Sequence, residues 1–286
     1  MLHFLIAESE TADERDARRE HAGNSSGETY IETLHALFPA ARCDRIMPAD
    51  PDGDMPDIET LADYDAIFLT GAPLHVYDDS PEVRRQLDFM RRVFSSGTPS
   101  FGSCAGLQVA VAAAGGTVRA MERRQEAGFA RRIAPTPEGR DHKLLAGRPL
   151  AYDAPAIHGD EVATLPADAT LLASNHATRV QAAEIRHDGG IFWGVQYHPE
   201  LSLGEIAVAL RRQADDLVEQ GLVSDEATLG EQAALIETLG DDPARHDLAW
   251  RLGLDDQVTD TDLRRTELRN FVDHLVLPIR ATRGRA

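Results

Sequence analysis

The sequence predicts an α/β protein: an open, mostly parallel sheet with helices on both faces, followed by a helical C-terminal extension. Three observations predict it. In the first half, short apolar runs alternate with segments of helical period. Ala66-Ile67-Phe68-Leu69 is apolar throughout, as expected of a strand covered on both faces. After Pro199 the pattern is helical only. The division expected is residues 1–203 for the α/β unit and 204–286 for helices packed on it. With 286 residues, 42% of them hydrophobic, the chain can bury a sizeable core.

Taken in order, residues 2–7 read as a buried strand and residues 8–26 as a polar loop. Within the latter, the charge run 13–20 reads as a solvated face, helix or loop. Tyr30, Ile31, Leu34, Leu37 and Phe38 recur at helical spacing, and Pro39 ends that helix. Residues 42–47 and 65–70 are the next strands. Ser80-Pro81-Glu82 starts a helix with a cap, a proline at its first position and an acid at the dipole's positive end. Gly97 suits its C-terminal cap. A strand at 99–102 leads into a helix at 105–114 that Gly115-Gly116 stops. From 117 to 196 the sequence reads as short strands with few helices. Beyond that, one helix is marked by Ile206, Leu210 and Leu217, a second by Leu229, Ala233 and Ile236, and a last by Leu268, Phe271 and Leu275.

Composition excludes several classes of function. Lys+Arg 29 against Asp+Glu 48 gives a formal net charge of -19, which repels phosphate and argues against nucleic acid or an anionic membrane as partner. The two cysteines, Cys43 and Cys104, form no disulfide framework and suit a reducing compartment. The first residues lack the features of a signal peptide, and no stretch reaches the roughly 20 apolar residues of a membrane span. The expected location is the cytoplasm.

The strongest local signal is Phe101-Gly102-Ser103-Cys104-Ala105-Gly106-Leu107-Gln108. A strand runs straight into a helix, with glycines two before and two after a cysteine: a nucleophile elbow in its cysteine form. The helix N-terminus favours a thiolate. The second signal, Gly194-Val195-Gln196-Tyr197-His198-Pro199-Glu200, places a histidine and a carboxylate two apart across a proline, a base and the group that orients it. Each motif alone also fits a structural cysteine or a surface loop; the pair, in this order, is far more specific.

With both motifs in place, residues 2–200 resemble the class I (triad) glutamine amidotransferases, a flavodoxin-like fold, and most of all the glutaminase domain of GMP synthase. Leu69-Thr70-Gly71-Ala72-Pro73 stands where that family carries its oxyanion loop. Glu126-Ala127-Gly128-Phe129-Ala130 and Ile157-His158-Gly159-Asp160 resemble two further segments of the GMP synthase domain. The resemblance implies Cys104 as nucleophile, His198 as base and Glu200 as its partner. It puts the oxyanion at the backbone of Ala105, Gly71 and Ala72, and substrate against Gln108, Gly128 and Phe129. It implies L-glutamine or a related γ-glutamyl amide as substrate and no cofactor. Three departures stand out, one of them Ile157 in place of the usual serine. Ala72 replaces a glycine, which matters if that position needs φ > 0. No ATP-pyrophosphatase signature follows the triad, so the expected activity is glutamine hydrolysis with ammonia released to an acceptor protein not on this chain. The alternatives are a γ-glutamyl peptide or amine hydrolase and a glutamine-binding regulatory subunit without turnover. Association into a homo-oligomer fits each of these.

Other candidates read as structural. Asp50, Asp52, Gly53 and Asp54 lack the glycine position and the final glutamate of a calcium loop. His75, His176 and His187 have no metal-ligand spacing, so no metal site is expected. His158 reads as a supporting histidine, and Ser103, beside the apex of the elbow, as a poor nucleophile.

Overall fold

The computed structural model describes residues 1–122 and 125–284. The elements run β1 (His3–Ala7), α1 (Ala12–Ala22), α2 (Ser26–Leu37), β2 (Arg42–Ile46), α3 (Ile58–Ala62), β3 (Ala66–Leu69), α4 (Pro81–Ser96), β4 (Ser100–Ser103) and α5 (Ala105–Ala113). The middle of the chain supplies β5 (Thr117–Ala120), β6 (Glu126–Pro135), α6 (Pro137–Asp141), β7 (Tyr152–His158), β8 (Asp160–Thr164), β9 (Ala169–Ser174), β10 (Ala182–His187) and β11 (Gly190–Val195). Helices complete it: α7 (Leu203–Arg212), α8 (Ala214–Glu219), α9 (Glu226–Asp241), α10 (His246–Leu252), α11 (Asp256–Thr259), α12 (Thr261–Arg264), α13 (Thr266–Phe271) and, after a π turn, α14 (Leu277–Thr282).

Nine strands form one sheet in the order β2-β1-β3-β4-β11-β10-β9-β6-β7. The half from β2 to β11 is parallel. From β11 onward the pairings are antiparallel, and β5 with β8 makes a small separate ribbon. The parallel strands are apolar on both faces because helices cover both, as the uniformly buried β3 shows. Phe4, Phe68 and Phe101 pack on one face beneath α2 and the last helices; Leu5, Ile67 and Phe89 pack on the other.

Two segments differ from the sequence reading. Residues 12–22 are a helix, although only Arg15 in it is buried. Its signal is in its ends: Thr11 and Glu14 form a capping box, and Gly23 closes it at φ 84. The stretch marked by Ile206 and Leu217 is two helices that break at Gln213. Helices α7 and α9 do not project from the molecule. Leu203, Ile206, Leu210, Leu229, Ala233 and Ile236 are buried in one cluster with Phe129 of β6. The final helices return to the main core, where Leu268, Phe271 and Val272 join Phe4, Phe68 and Phe101.

Candidate active site

Cys104 stands between β4 and α5 at φ 52, ψ -111, a conformation L residues rarely adopt. The elbow holds it there by close packing on both sides. A Cβ on Gly102 would lie 2.8 Å from the Gly106 carbonyl carbon, and one on Gly106 would strike the Leu69 carbonyl oxygen. The Cys104 N–H donates to Val195 O of the neighbouring strand at 2.9 Å. The strain is thus confined to one residue between two fixed elements.

His198 follows β11, next to β4, so the parallel pairing brings it to the same end of the central strands as Cys104. Its backbone N–H donates to Pro155 O of β7 at 2.7 Å. On one side its ring is close to the Cys104 side chain, whose negative charge favours the imidazolium. On the other, Nδ1 is 2.7 Å from Glu200 Oε1. All three side chains are buried. Burial opposes the imidazolium, but the Glu200 and Cys104 charges, with the Glu200 hydrogen bond, outweigh it and push the His198 pKa up to about 10.

Two residues to which the sequence reading gave no part in the site complete this row. Ser103 Oγ donates to Glu200 Oε1 at 2.9 Å, and Tyr30 OH lies 2.6 Å from Ser103 Oγ. Since the serine proton goes to the carboxylate, Tyr30 donates to the serine. Burial, with Glu200 nearby, holds the Tyr30 phenol protonated well above its usual range. Glu200 Oε1 accepts both bonds, while Oε2, also buried, has no partner among the described residues. Tyr30 looks like an ordinary apolar position of α2; only the tertiary fold shows its hydroxyl's role. Further support comes through Tyr197, whose OH donates to Glu267 Oε1 of α13 at 2.9 Å and meets Tyr152 OH at 2.9 Å. Arg148 pairs with Glu267 at 2.7 Å, both side chains almost fully buried.

Gly71 lies against the ring. A Cβ there would be 2.7 Å from His198 Cε1 and 3.6 Å from Cys104 Cβ, so sterics, not φ, demand glycine. Ala72 is absent from the residues with positive φ, so its substitution for glycine strains nothing. Thr70 Oγ1 donates to Gly71 O at 3.1 Å and in turn accepts from Ser9 N and Ser26 Oγ. That bond fixes the Gly71–Ala72 peptide and turns the Ala72 N–H the opposite way from the held carbonyl. The Ala105 N–H belongs to the first turn of α5.

Gln108, one turn along α5 from Cys104, is buried and donates to Gln196 Oε1 (3.2 Å) and Asp160 O (3.3 Å). Gly128, at φ 87, and Phe129 lie across β7 from His198, since Phe129 pairs with Pro155. Glu126 accepts from Gln181 (2.6 Å), Asn175 (2.6 Å) and His158 (3.0 Å), which makes His158 a supporting residue. His75 bonds Asp160 at 2.7 Å. Asp50 pairs with Arg15 at 2.6 Å. Among the described residues, no group of three or more His, Cys, Asp or Glu side chains could hold a metal ion, and no helix is long and apolar enough to cross a membrane. Burial pushes the other cysteine, Cys43, up to about 11.

The arrangement supplies a cysteine beside a histidine whose far nitrogen is held by a carboxylate, as acyl transfer requires. Known proteins agree at the level of family. The model of the class-I glutamine amidotransferases matches residues 32–214. A gamma-glutamyl-L-1-hydroxyisopropylamide hydrolase of a Pseudomonas species is 35% identical, over 97% of this chain and 94% of its own length. The GMP synthase of Leifsonia xyli is 34% identical over 53% of this chain, which spans only 30% of that enzyme's length. Among solved structures, a glutamine amidotransferase of Thermotoga maritima has the same fold, with a TM-score of 0.64, 16% identity, and 96% of this chain and 98% of that one covered. The chain belongs to the class-I glutamine amidotransferase family.

Proposed function

We propose that this protein hydrolyses the γ-amide bond of a γ-glutamyl substrate through a thioester at Cys104. The observation that supports it most is the strained Cys104 held beside the buried His198–Glu200 pair. In this reading the Cys104 thiolate attacks the γ-carbonyl carbon. The oxyanion takes hydrogen bonds from the N–H groups of Ala105 and the 71–72 loop; one such donor is typically worth about 3–4 kcal/mol. His198 gives its proton to the leaving nitrogen, the C–N bond breaks, and a thioester remains. Water then loses a proton to His198 and attacks the thioester. The C–S bond breaks, releasing glutamate and restoring the thiolate and imidazolium. Glu200 keeps the Nδ1 proton in place throughout.

For the leaving group we favour a small alkylamine over ammonia. The hydrolase relative aligns with 97% of the chain, and so with most of the C-terminal helices, whereas the Leifsonia GMP synthase matches about half of it. The second reading is glutamine hydrolysis, with ammonia released to an acceptor on another protein; similarity to GMP synthases supports it. Either reading keeps residues 1–203 as the amidotransferase unit and 204–286 as its helical extension. Steady-state kinetics on L-glutamine and γ-L-glutamylisopropylamide decide between them. We expect the higher kcat/KM for the isopropylamide; the reverse order would favour glutamine.

A further inference from the structure

Ser26, Tyr30 and Thr33 of α2 stand at i, i+4 and i+7, so they share one face of the helix, and all three are buried. Their hydroxyls reach two parts of the site. Ser26 Oγ donates to Thr70 Oγ1 at 2.9 Å, and Thr70 Oγ1 donates to Gly71 O at 3.1 Å. Tyr30 OH donates to Ser103 Oγ at 2.6 Å, and Ser103 Oγ donates to Glu200 Oε1 at 2.9 Å. Thr33 Oγ1 donates to Glu200 O at 3.3 Å. We propose that α2 is the positioning helix of the site: Ser26, through Thr70, sets the Gly71–Ala72 peptide that meets the oxyanion, while Tyr30 and Thr33 hold Glu200. The inference rests on the thioester reading above.

Three observations carry it. The first is the chemistry of the face. Packing alone would be served by apolar side chains, since a buried hydroxyl is costly without a partner. Each of these three finds its partner in the site or one residue from it. The second is anchoring. The Gly27 N–H donates to Glu8 Oε1 at 2.7 Å and the Ser26 N–H to Glu10 Oε2 at 2.9 Å, which ties the start of α2 to the end of β1. Both carboxylates are buried, and they meet the positive end of the helix dipole. The third is the direction of the bonds. Thr70 follows β3, beside β1, and its N–H donates to Ala7 O at 3.1 Å. Its Oγ1 accepts from the Ser9 N–H at 2.9 Å and from Ser26 Oγ, which fills both lone pairs and leaves its own proton for Gly71 O. A flip of the Gly71–Ala72 peptide would break this chain, so the Ala72 N–H stays turned away from the held carbonyl.

The test measures kcat and KM for the wild type, Thr70→Val, Thr70→Ser and Ser26→Ala on whichever of γ-L-glutamylisopropylamide and L-glutamine the wild type turns over faster. Valine keeps the shape of threonine without its hydroxyl, serine keeps the hydroxyl, and thermal unfolding checks each fold. A held oxyanion peptide acts in the transition state, so Thr70→Val should lose about tenfold to a hundredfold in kcat with KM within about threefold. Ser26→Ala should lose about threefold to tenfold in kcat, and Thr70→Ser should stay within about threefold of the wild type. Wild-type kcat in folded Thr70→Val, a loss confined to KM, or a Thr70→Ser as impaired as the valine variant overturns the proposal. Wild-type kcat in folded Ser26→Ala overturns it too, and decides the matter should Thr70→Val not fold. Retained activity in Cys104→Ala, or a wild type that turns over neither substrate, would instead overturn the thioester reading itself, so the failures are distinguishable.

Discussion

Removing the Ser103 hydroxyl takes away one of the two hydrogen bonds on Glu200 Oε1, and Oε2 has none to compensate. A hydrogen bond to a charged group is typically worth about 1.5–3 kcal/mol. If it is expressed in the transition state, Ser103→Ala should lower kcat roughly tenfold to a hundredfold with KM little changed, and Tyr30→Phe should act in the same direction but less. Steady-state kinetics would show otherwise if KM alone moved. Glu200→Gln tests the electrostatics. His198 is raised to about 10, so its protonated form is retained up to that pH and lost as pH rises through it. A neutral partner lowers that value, so the alkaline limb of kcat/KM should move toward neutral pH. At Gly71, a Cβ 2.7 Å from the ring must displace it, so Gly71→Ala should cost about a hundredfold in kcat/KM, whereas Ala72→Gly should stay within about twofold. Cys104, His198 and Glu200 were legible in the sequence as a candidate site because they sit in two short motifs of fixed spacing. Tyr30 and Ser103 were not, because the bond between their hydroxyls joins positions 73 residues apart and leaves no local pattern.

Helices α7 and α9 have apolar faces buried against β6, and α9 contributes Leu229, Ala233, Ile236 and Leu239 to that cluster. Deleting residues 224–239 should therefore yield protein that fails to fold, read as loss of a cooperative thermal transition. A folded, active deletion of altered solution mass would instead mark α9 as an interface. The apolar stripe of α9 was plain in the sequence at i, i+4 and i+7. Helix α1 was not, because all but Arg15 of its residues are at least partly exposed and only its caps mark it. Strands β6 and β7 were hidden differently. Their pairing shifts register between Ala130 and Ile133, where Arg132 turns to φ 52, and this bulge interrupts the alternation that would announce a long strand.

For the whole molecule, the sequence carried the α/β architecture because the parallel strands are continuous apolar runs between helical segments. The docking of the last helix was legible from its apolar stripe of Leu268, Phe271 and Leu275, but not the sheet face it finds. The last helices enter the core beside β1, β3 and β4, and Arg283 donates to Gly97 O at the end of α4 at 2.8 Å. Long-range closure of this kind depends on which apolar stripe finds which sheet face, and periodicity does not encode it. The end of the central strands so supported holds Cys104, His198 and Glu200, and the central claim is that Cys104 carries the glutamyl group during turnover. Rapid acid quenching followed by peptide mass analysis tests it directly, with γ-L-glutamylisopropylamide and L-glutamine as substrates. The expected result is one glutamyl group on the peptide containing Cys104 during turnover, absent from Cys104→Ala, which should also be inactive. Turnover by Cys104→Ala at the wild-type rate would contradict it.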